Sequence, residues 1–449
     1  MNHDLTEGNV TSSLVKFTLP ILASMVFQQL YNIADSFVAG KFIGENALAA
    51  VGNSYEITLI FIAFAVGANM GSGVLVSQYF GAKRMREVKM AVSTSYISVL
   101  ALTVVLTTLG ILFSDSFLTL INTPDEIFSD SALYLDIYIL GLFFLFFYNI
   151  ATGIFSALGD SRTPFLFLMF SSLSNIAVDI LFVTLFDMGV AGVAWATFLC
   201  QGVSSVLANY VLFKRLKELG NLEKVPLFSF SMFSKFVRFA VPSIMQQLFI
   251  SGGNIIVQAR INSFGPAVIA GYSAAIKLNN MVVTSFLTFS NGISSFAAQN
   301  VGAGRFDRVR EGMKAGVKLS WAICIPVVFI FFFFSDYLLL LFLGDRNSEA
   351  FSTATDFLRI VSPFYFVVVV KDVSDAILRG CGAMRPFLYS TFADLFLRVG
   401  LSFLFSHLLG SAIGIWLSWP FGWTVGTLIS LMFYFKGGWK GTSVVSSST

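Results

Sequence analysis

One pattern occurs twice in this chain, at an offset of about 221 residues. Leu19-Pro20 corresponds to Val241-Pro242, each at an apolar helical stretch. The segment Gly44–Gly52 lines up with Gly265–Ser273, and Gln78–Arg84 with Gln299–Arg305. Both halves are mostly hydrophobic. A duplicated apolar chain of this size is the signature of a membrane protein built from two homologous helical bundles, with a substrate path between them. Composition argues against a duplicated soluble enzyme: 56% of residues are hydrophobic and 12% charged, against about 25% charge in soluble domains.

A spanning helix needs about 20 predominantly apolar residues. Twelve such runs occur, near 14–39, 46–80, 86–113, 125–157, 163–186, 189–214, 232–263, 266–300, 308–335, 348–380, 386–409 and 412–436. The expected organisation is an N-terminal six-helix lobe over 1–216, a linker over 217–231, a C-terminal six-helix lobe over 232–437 and a Ser/Thr-rich disordered tail over 438–449. Alternate loops divide the charges. One set carries Lys83, Arg84, Arg86, Lys89, Arg162, Lys214, Arg215, Lys217, Arg305, Arg308 and Arg310; the other carries Asp115, Asp125, Glu126, Asp130, Asp187, Asp336, Asp345 and Glu349. By the positive-inside rule both termini are cytoplasmic, and a multi-pass position in the plasma membrane is expected. The polar start, Met1 to Gly8, lacks the features of a removable signal peptide. Net charge is +3, spread over short clusters, which argues against nucleic-acid binding. Cys200, Cys324 and Cys381 show no metal or redox spacing.

Ionisable residues inside spans are costly, about 2.5 to 3.5 kcal/mol each on insertion scales, and therefore mark function by default. Asp35 lies in the first span; Asp179 lies in the fifth, four residues from Asn175 and on the same helical face. At 1.5 Å per residue, Asp35 precedes the outer end of its helix by about 8 to 13 Å, Asp179 precedes Asp187 by about 12 Å, and Thr197 follows its turn by about 13 Å. The three share a depth. Two carboxylates, an amide and a hydroxyl there suit Na⁺ by oxygen ligation. The same pair suits a proton shared between neighbouring carboxylates. The bland alternative is helix–helix glue through polar contacts.

In the second half, Lys371 with Asp375 and Asp394 with Arg398 are four apart and read as intrahelical ion pairs; Asp372 accompanies them. Glu56 and Lys277 occupy equivalent repeat positions with opposite charge and are candidate gating partners. Pro20 and Pro242 either start their helices or permit a bend within them. The only histidines are His3 and His407, and neither a His-Glu-x-x-His motif nor a phosphate-binding Gly-x-x-x-x-Gly-Lys loop is present. An enzyme and an ATP-driven pump are thereby disfavoured.

The stretch from Pro20 to Asp35, Gly44–Gly52, Gln78–Arg84, Gly159-Asp-Ser-Arg-Thr-Pro164, Gln299–Arg305 and Leu378-Arg-Gly-Cys-Gly-Ala-Met-Arg-Pro386 together resemble the multidrug and toxic compound extrusion (MATE) family over residues 10–437. The resemblance implies an all-α integral membrane protein with twelve helices in two six-helix lobes forming a V. It further implies antiport of organic, often cationic, drugs or metabolites against Na⁺ or H⁺, with no other cofactor and no second subunit required. The family's N-lobe cation site matches Asp35, Asn175, Asp179 and Thr197. A C-lobe cation site, present in some members, is not expected, because the seventh helix carries Gln258 and no acid. The rival reading is a flippase for a lipid-linked envelope precursor, whose phosphates call for a cluster of cavity arginines. The candidates are Arg260, Arg359 and Arg398.

Overall fold

A computed structural model describes residues 4–218, 225–340 and 342–445, and no strand occurs among them. Residues 219–224 of the expected 217–231 linker and the last four residues of the tail lie outside the described residues. In the first repeat the helices are α1 (Val10–Val38), α2 (Glu45–Gly81), α3 (Met85–Leu120), α4 (Asp125–Leu140), α5 (Leu142–Ala157), α6 (Arg162–Thr184) and α7 (Gly189–Glu218). In the second they are α8 (Phe230–Asn262), α9 (Pro266–Gly302), α10 (Phe306–Phe333), the short α11 (Ser335–Leu339), α12 (Glu349–Val361), α13 (Tyr365–Cys381), α14 (Met384–Leu409) and α15 (Ile413–Lys436).

Among the described residues ten spans, α12–α13 counted as one, are long and apolar enough to cross a membrane, and α4 with α5 forms an eleventh, bent by 47°. The twelfth segment is α15, 24 residues long and rich in Trp and Gly. The fourth span of each repeat is interrupted at equivalent places. Gly141 separates α4 from α5, and a 3₁₀ turn over Ser362–Phe364, containing Pro363, separates α12 from α13. A glycine in one case and a proline in the other weaken the same helical turn. Pro20 and Pro242, by contrast, lie well inside α1 and α8, so neither starts its helix.

The repeat also fixes turns. Gly44 (φ +138°) and Gly265 (φ +97°) stand between the first two helices of each half, and Lys83 (φ +58°) and Gly304 (φ +71°) between the second and third. Left-handed backbone is cheap for glycine and strained for lysine, so only the second repeat uses the residue best suited to its turn.

Contacts divide the chain into two compact units: residues 4 and 16–244, and residues 5–15 and 245–445. Both α1 and α8 therefore belong partly to each. In the first unit the closest helix approach needs glycine: a Cβ on Gly153 of α5 would stand 2.6 Å from the Asn69 carbonyl of α2. In the second, Tyr272 stacks on Trp416 at 5.3 Å, with Phe357 edge-on to the same indole at 5.1 Å. Outward-facing side chains such as Leu112, Leu185 and Phe435 are 69 to 77% exposed, a surface suited to lipid.

The repeated Gln-x-x-Gly motif acquires a structural role in the second unit. Gln299 Oε1 accepts from the Leu5 amide at 3.1 Å, Asn300 Nδ2 donates to the Leu5 carbonyl at 3.1 Å, and Arg305 and Arg308 donate to the carbonyls of Thr6 and Gly8 at 2.7 Å each. The leader of α1 is thus bound by the second repeat. In the first unit, the Ser229 amide donates to Thr94 Oγ1 at 3.1 Å, which holds the leader of α8 in a related way.

Candidate functional site

Asp35 on α1, Asn175 and Asp179 on α6 and Thr197 on α7 come together in the first unit, and all four are buried (at most 8% exposed). α6 and α7 pack along their lengths, which sets Thr197 opposite the Asn175–Asp179 face. Oriented to satisfy its neighbours, the Asn175 amide donates to Asp35 Oδ1 and to Asp179 Oδ2, both at 3.0 Å, and its oxygen accepts from the Thr197 backbone amide at 3.2 Å. One asparagine therefore ties three helices. The Asn175 amide thus bridges the two carboxyl groups. Asp179 Oδ1 is fully buried and carries no hydrogen bond.

Sequence reasoning missed Tyr31. Its hydroxyl lies 3.0 Å from Thr197 Oγ1. The signal was present, since Tyr31 precedes Asp35 by four residues and must share its face. Tyr134 of α4, buried in the apolar cluster with Val38 and Val193, lies within electrostatic reach of both carboxylates. The arrangement offers carboxylate, hydroxyl and phenol oxygens around one buried point. It is chemically able to exchange a proton or hold a hard cation. No group of three or more His, Cys, Asp or Glu that would hold a metal occurs among the described residues.

The second-half charges are arranged otherwise than their spacing implied. Lys371 Nζ contacts Asp375 Oδ2 at 3.1 Å, as expected, but it also contacts Asp394 Oδ2 at 3.6 Å. The expected Asp394–Arg398 pair is absent. Arg398 lies over the Trp419 indole, 4.6 Å from its centroid, and its Nε carries no hydrogen bond. The reason is that the Lys371 ammonium on α13 approaches Asp394 from another helix. Asp372 is buried with one carboxylate oxygen unpartnered. Glu56 and Lys277 are exposed and belong to different units.

The remaining motifs are structural. Asp160 precedes α6 and accepts from the amides of Arg162 and Thr163, both at 3.1 Å, while pairing with Arg215 at the end of α7. Burial pushes the Asp160 carboxyl up, but the Thr163 hydroxyl and the Arg215 guanidinium outweigh it and hold the group below the usual carboxylate range. Arg379 donates to Asn291 Oδ1 at 2.8 Å and to Ser294 Oγ at 3.3 Å, tying α13 to α9. The three cysteines are free.

Two repeats of six spans, with carboxylates buried inside them, define a membrane transporter. A family model, MatE, matches residues 20–181 and 242–404, one stretch beginning at Pro20 and the other at Pro242. The chain belongs to the MatE family of multidrug-efflux transporters and is not an enzyme. It is 28% identical over 409 residues to a probable multidrug resistance protein, YpnP, of Bacillus subtilis, covering 91% of each chain. It is 22% identical to an FAD transporter of Shewanella oneidensis, covering 82% of this chain and 80% of the other. Among solved structures, a transporter of the MOP superfamily from Pyrococcus furiosus superposes with a TM-score of 0.89 at 22% identity, covering 97% of both chains.

Proposed function

We propose that this protein exports organic compounds, chiefly amphiphilic cations, in exchange for inward movement of Na⁺ or H⁺ through the Asp35–Asn175–Asp179–Thr197 cluster. The cluster itself carries this reading. Two carboxyl groups buried inside spans and bridged by one amide are expensive to build, and the arrangement changes charge whenever an ion arrives or leaves. Coupling follows if ion binding and drug binding favour different conformations, so that each displaces the other. Both termini face the cytoplasm of a cell whose plasma membrane holds the protein as a monomer, in line with the basic residues near Lys83, Arg215 and Arg305.

The flippase reading lacks its requirement. Arg260 donates to Ser406 at 2.8 Å, Arg359 pairs with Asp336 at 3.3 Å and Arg398 covers Trp419, so these three do not assemble a phosphate cradle. The FAD transporter among the relatives, whose named substrate carries phosphates, supports an organic anion as the second substrate class.

The test is efflux of a fluorescent cationic dye from proteoliposomes under separately imposed Na⁺ and pH gradients, for the wild type and Asp35→Asn. Efflux driven by one gradient and lost in the variant is expected. Gradient-driven efflux surviving in Asp35→Asn would move coupling away from the cluster, and an FAD-selective wild type would replace the cationic substrate.

A further inference from the structure

We propose that Lys371 is a tethered cation, whose ammonium group permanently fills a carboxylate cradle in the second unit that would otherwise take a free monovalent cation. The cradle is built on three helices. Asp375 on α13 is saturated: it meets Lys371 Nζ at 3.1 Å, accepts from Ser390 of α14 at 3.2 Å and accepts from Ser430 of α15. Asp394 on α14 is not saturated. One of its oxygens lies 3.6 Å from the ammonium, and the other carries no hydrogen bond. Two carboxylates thus face one ammonium, and Arg398, turned onto Trp419, forms no ion pair with Asp394.

Space has been cleared for this arrangement on α15. A Cβ on Gly426 would stand 2.7 Å from Lys371 Cε, and one on Gly422 would stand 2.6 Å from Asp394 Oδ1. Two glycines one turn apart thus admit the lysine stem and the carboxylate side by side. The single Ser390 proton is shared with the Gly426 carbonyl oxygen, 3.1 Å from Oγ, so the lining consists of carboxylate, hydroxyl and carbonyl oxygens. That donor set suits a small cation, and at its centre lies the end of a side chain only 5% exposed. Lysine fits because its charge is a compact ammonium on a long stem, whereas an arginine fork would need a planar slot. A covalently held cation does not exchange. The second unit therefore stays loaded whichever ion the Asp35 cluster releases, and the inference stands on the second unit alone.

The test uses full-length protein carrying Asp35→Asn and Asp179→Asn, which silences the first cluster, with or without Lys371→Ala. Thermal unfolding is followed in methylammonium chloride and, at equal ionic strength, in choline chloride. With Lys371 present the two salts should give the same melting temperature. With Lys371→Ala the protein should melt several degrees lower, and methylammonium alone should raise it saturably. Adding Asp375→Asn should recover much of the lost stability and abolish the response. Equal effects of the two salts on Lys371→Ala would overturn the proposal. Should Lys371→Ala yield no folded protein, the charge-balanced Lys371→Ala/Asp375→Asn pair decides: recovery of folded protein is expected, and failure to recover overturns it.

Discussion

Replacing Asn175 by alanine removes the one group that touches every part of the first cluster. Its amide makes two hydrogen bonds to carboxyl groups at 3.0 Å and accepts a third from the Thr197 amide at 3.2 Å. Hydrogen bonds to charged partners contribute about 1.5 to 3 kcal/mol each and neutral ones about 1 kcal/mol. Complete loss would cost about 4 to 7 kcal/mol, and water entering the space left by the side chain should return part of it. A net destabilisation of about 2 to 4 kcal/mol is therefore expected for Asn175→Ala, measured by denaturation in detergent. Ion-driven efflux should fall at least tenfold, since each 1.4 kcal/mol of lost ion affinity is a factor of ten. A double-mutant cycle isolates the bridge. Asn175→Ala and Asp179→Ala should be non-additive by about 1.5 to 3 kcal/mol, because both delete the same bond. Additivity within about 0.5 kcal/mol, or efflux at the wild-type rate, would refute the bridging geometry.

Tyr31→Phe leaves Thr197 Oγ1 without its 3.0 Å partner; a loss of about 1 kcal/mol and weaker ion dependence of transport are expected, with unchanged expression as the control. Asp160 has a depressed carboxyl pKa, so its contribution is complete above the ordinary value near 3.9 and disappears as pH falls through the lower folded value. Wild-type stability should accordingly drop more steeply than that of Asp160→Asn on acidification below about pH 4; parallel curves would count against the Arg215 pairing. Gly153→Val, whose Cβ would stand 2.6 Å from the Asn69 carbonyl, should cost about 1 to 3 kcal/mol or abolish expression, while Gly52→Ala, with nothing within 4 Å, should be tolerated.

The features legible in the sequence were those that depend on one helix or on the repeat. Rise per residue sufficed to set Asp35, Asp179 and Thr197 at one depth, and the i, i+4 rule sufficed for Asn175 with Asp179 and for Lys371 with Asp375. The breaks at Gly141 and Pro363 occupy equivalent positions of the two repeats, yet a run of apolar residues conceals them because hydropathy does not register a bend. Asp394 could not be assigned correctly from spacing. Arg398 is available on the same helix face, and only the approach of α13 to α14, cleared by Gly422 and Gly426 of α15, shows that Lys371 arrives instead. Tyr31 was visible by the same rule that found Asn175, but a tyrosine in an aromatic-rich chain carries no signal of its own until Thr197 is seen beside it.

Part of what holds the leader of α1 is made by the ribosome 300 residues later. Leu5 waits for Gln299 and Asn300, and Gly8 waits for Arg308, a separation of 300 residues. At about 5 to 20 residues per second, that interval is roughly 15 to 60 s of synthesis. Throughout it the hydrogen bonds of Leu5 to Gln299 and Asn300 and of Gly8 to Arg308 cannot form, although α1 must already be inserted. Maturation of the first helix therefore ends only after α9 and the start of α10 have been translated, and a chain truncated before Gln299 would lack the hydrogen bonds that hold Leu5 and Gly8.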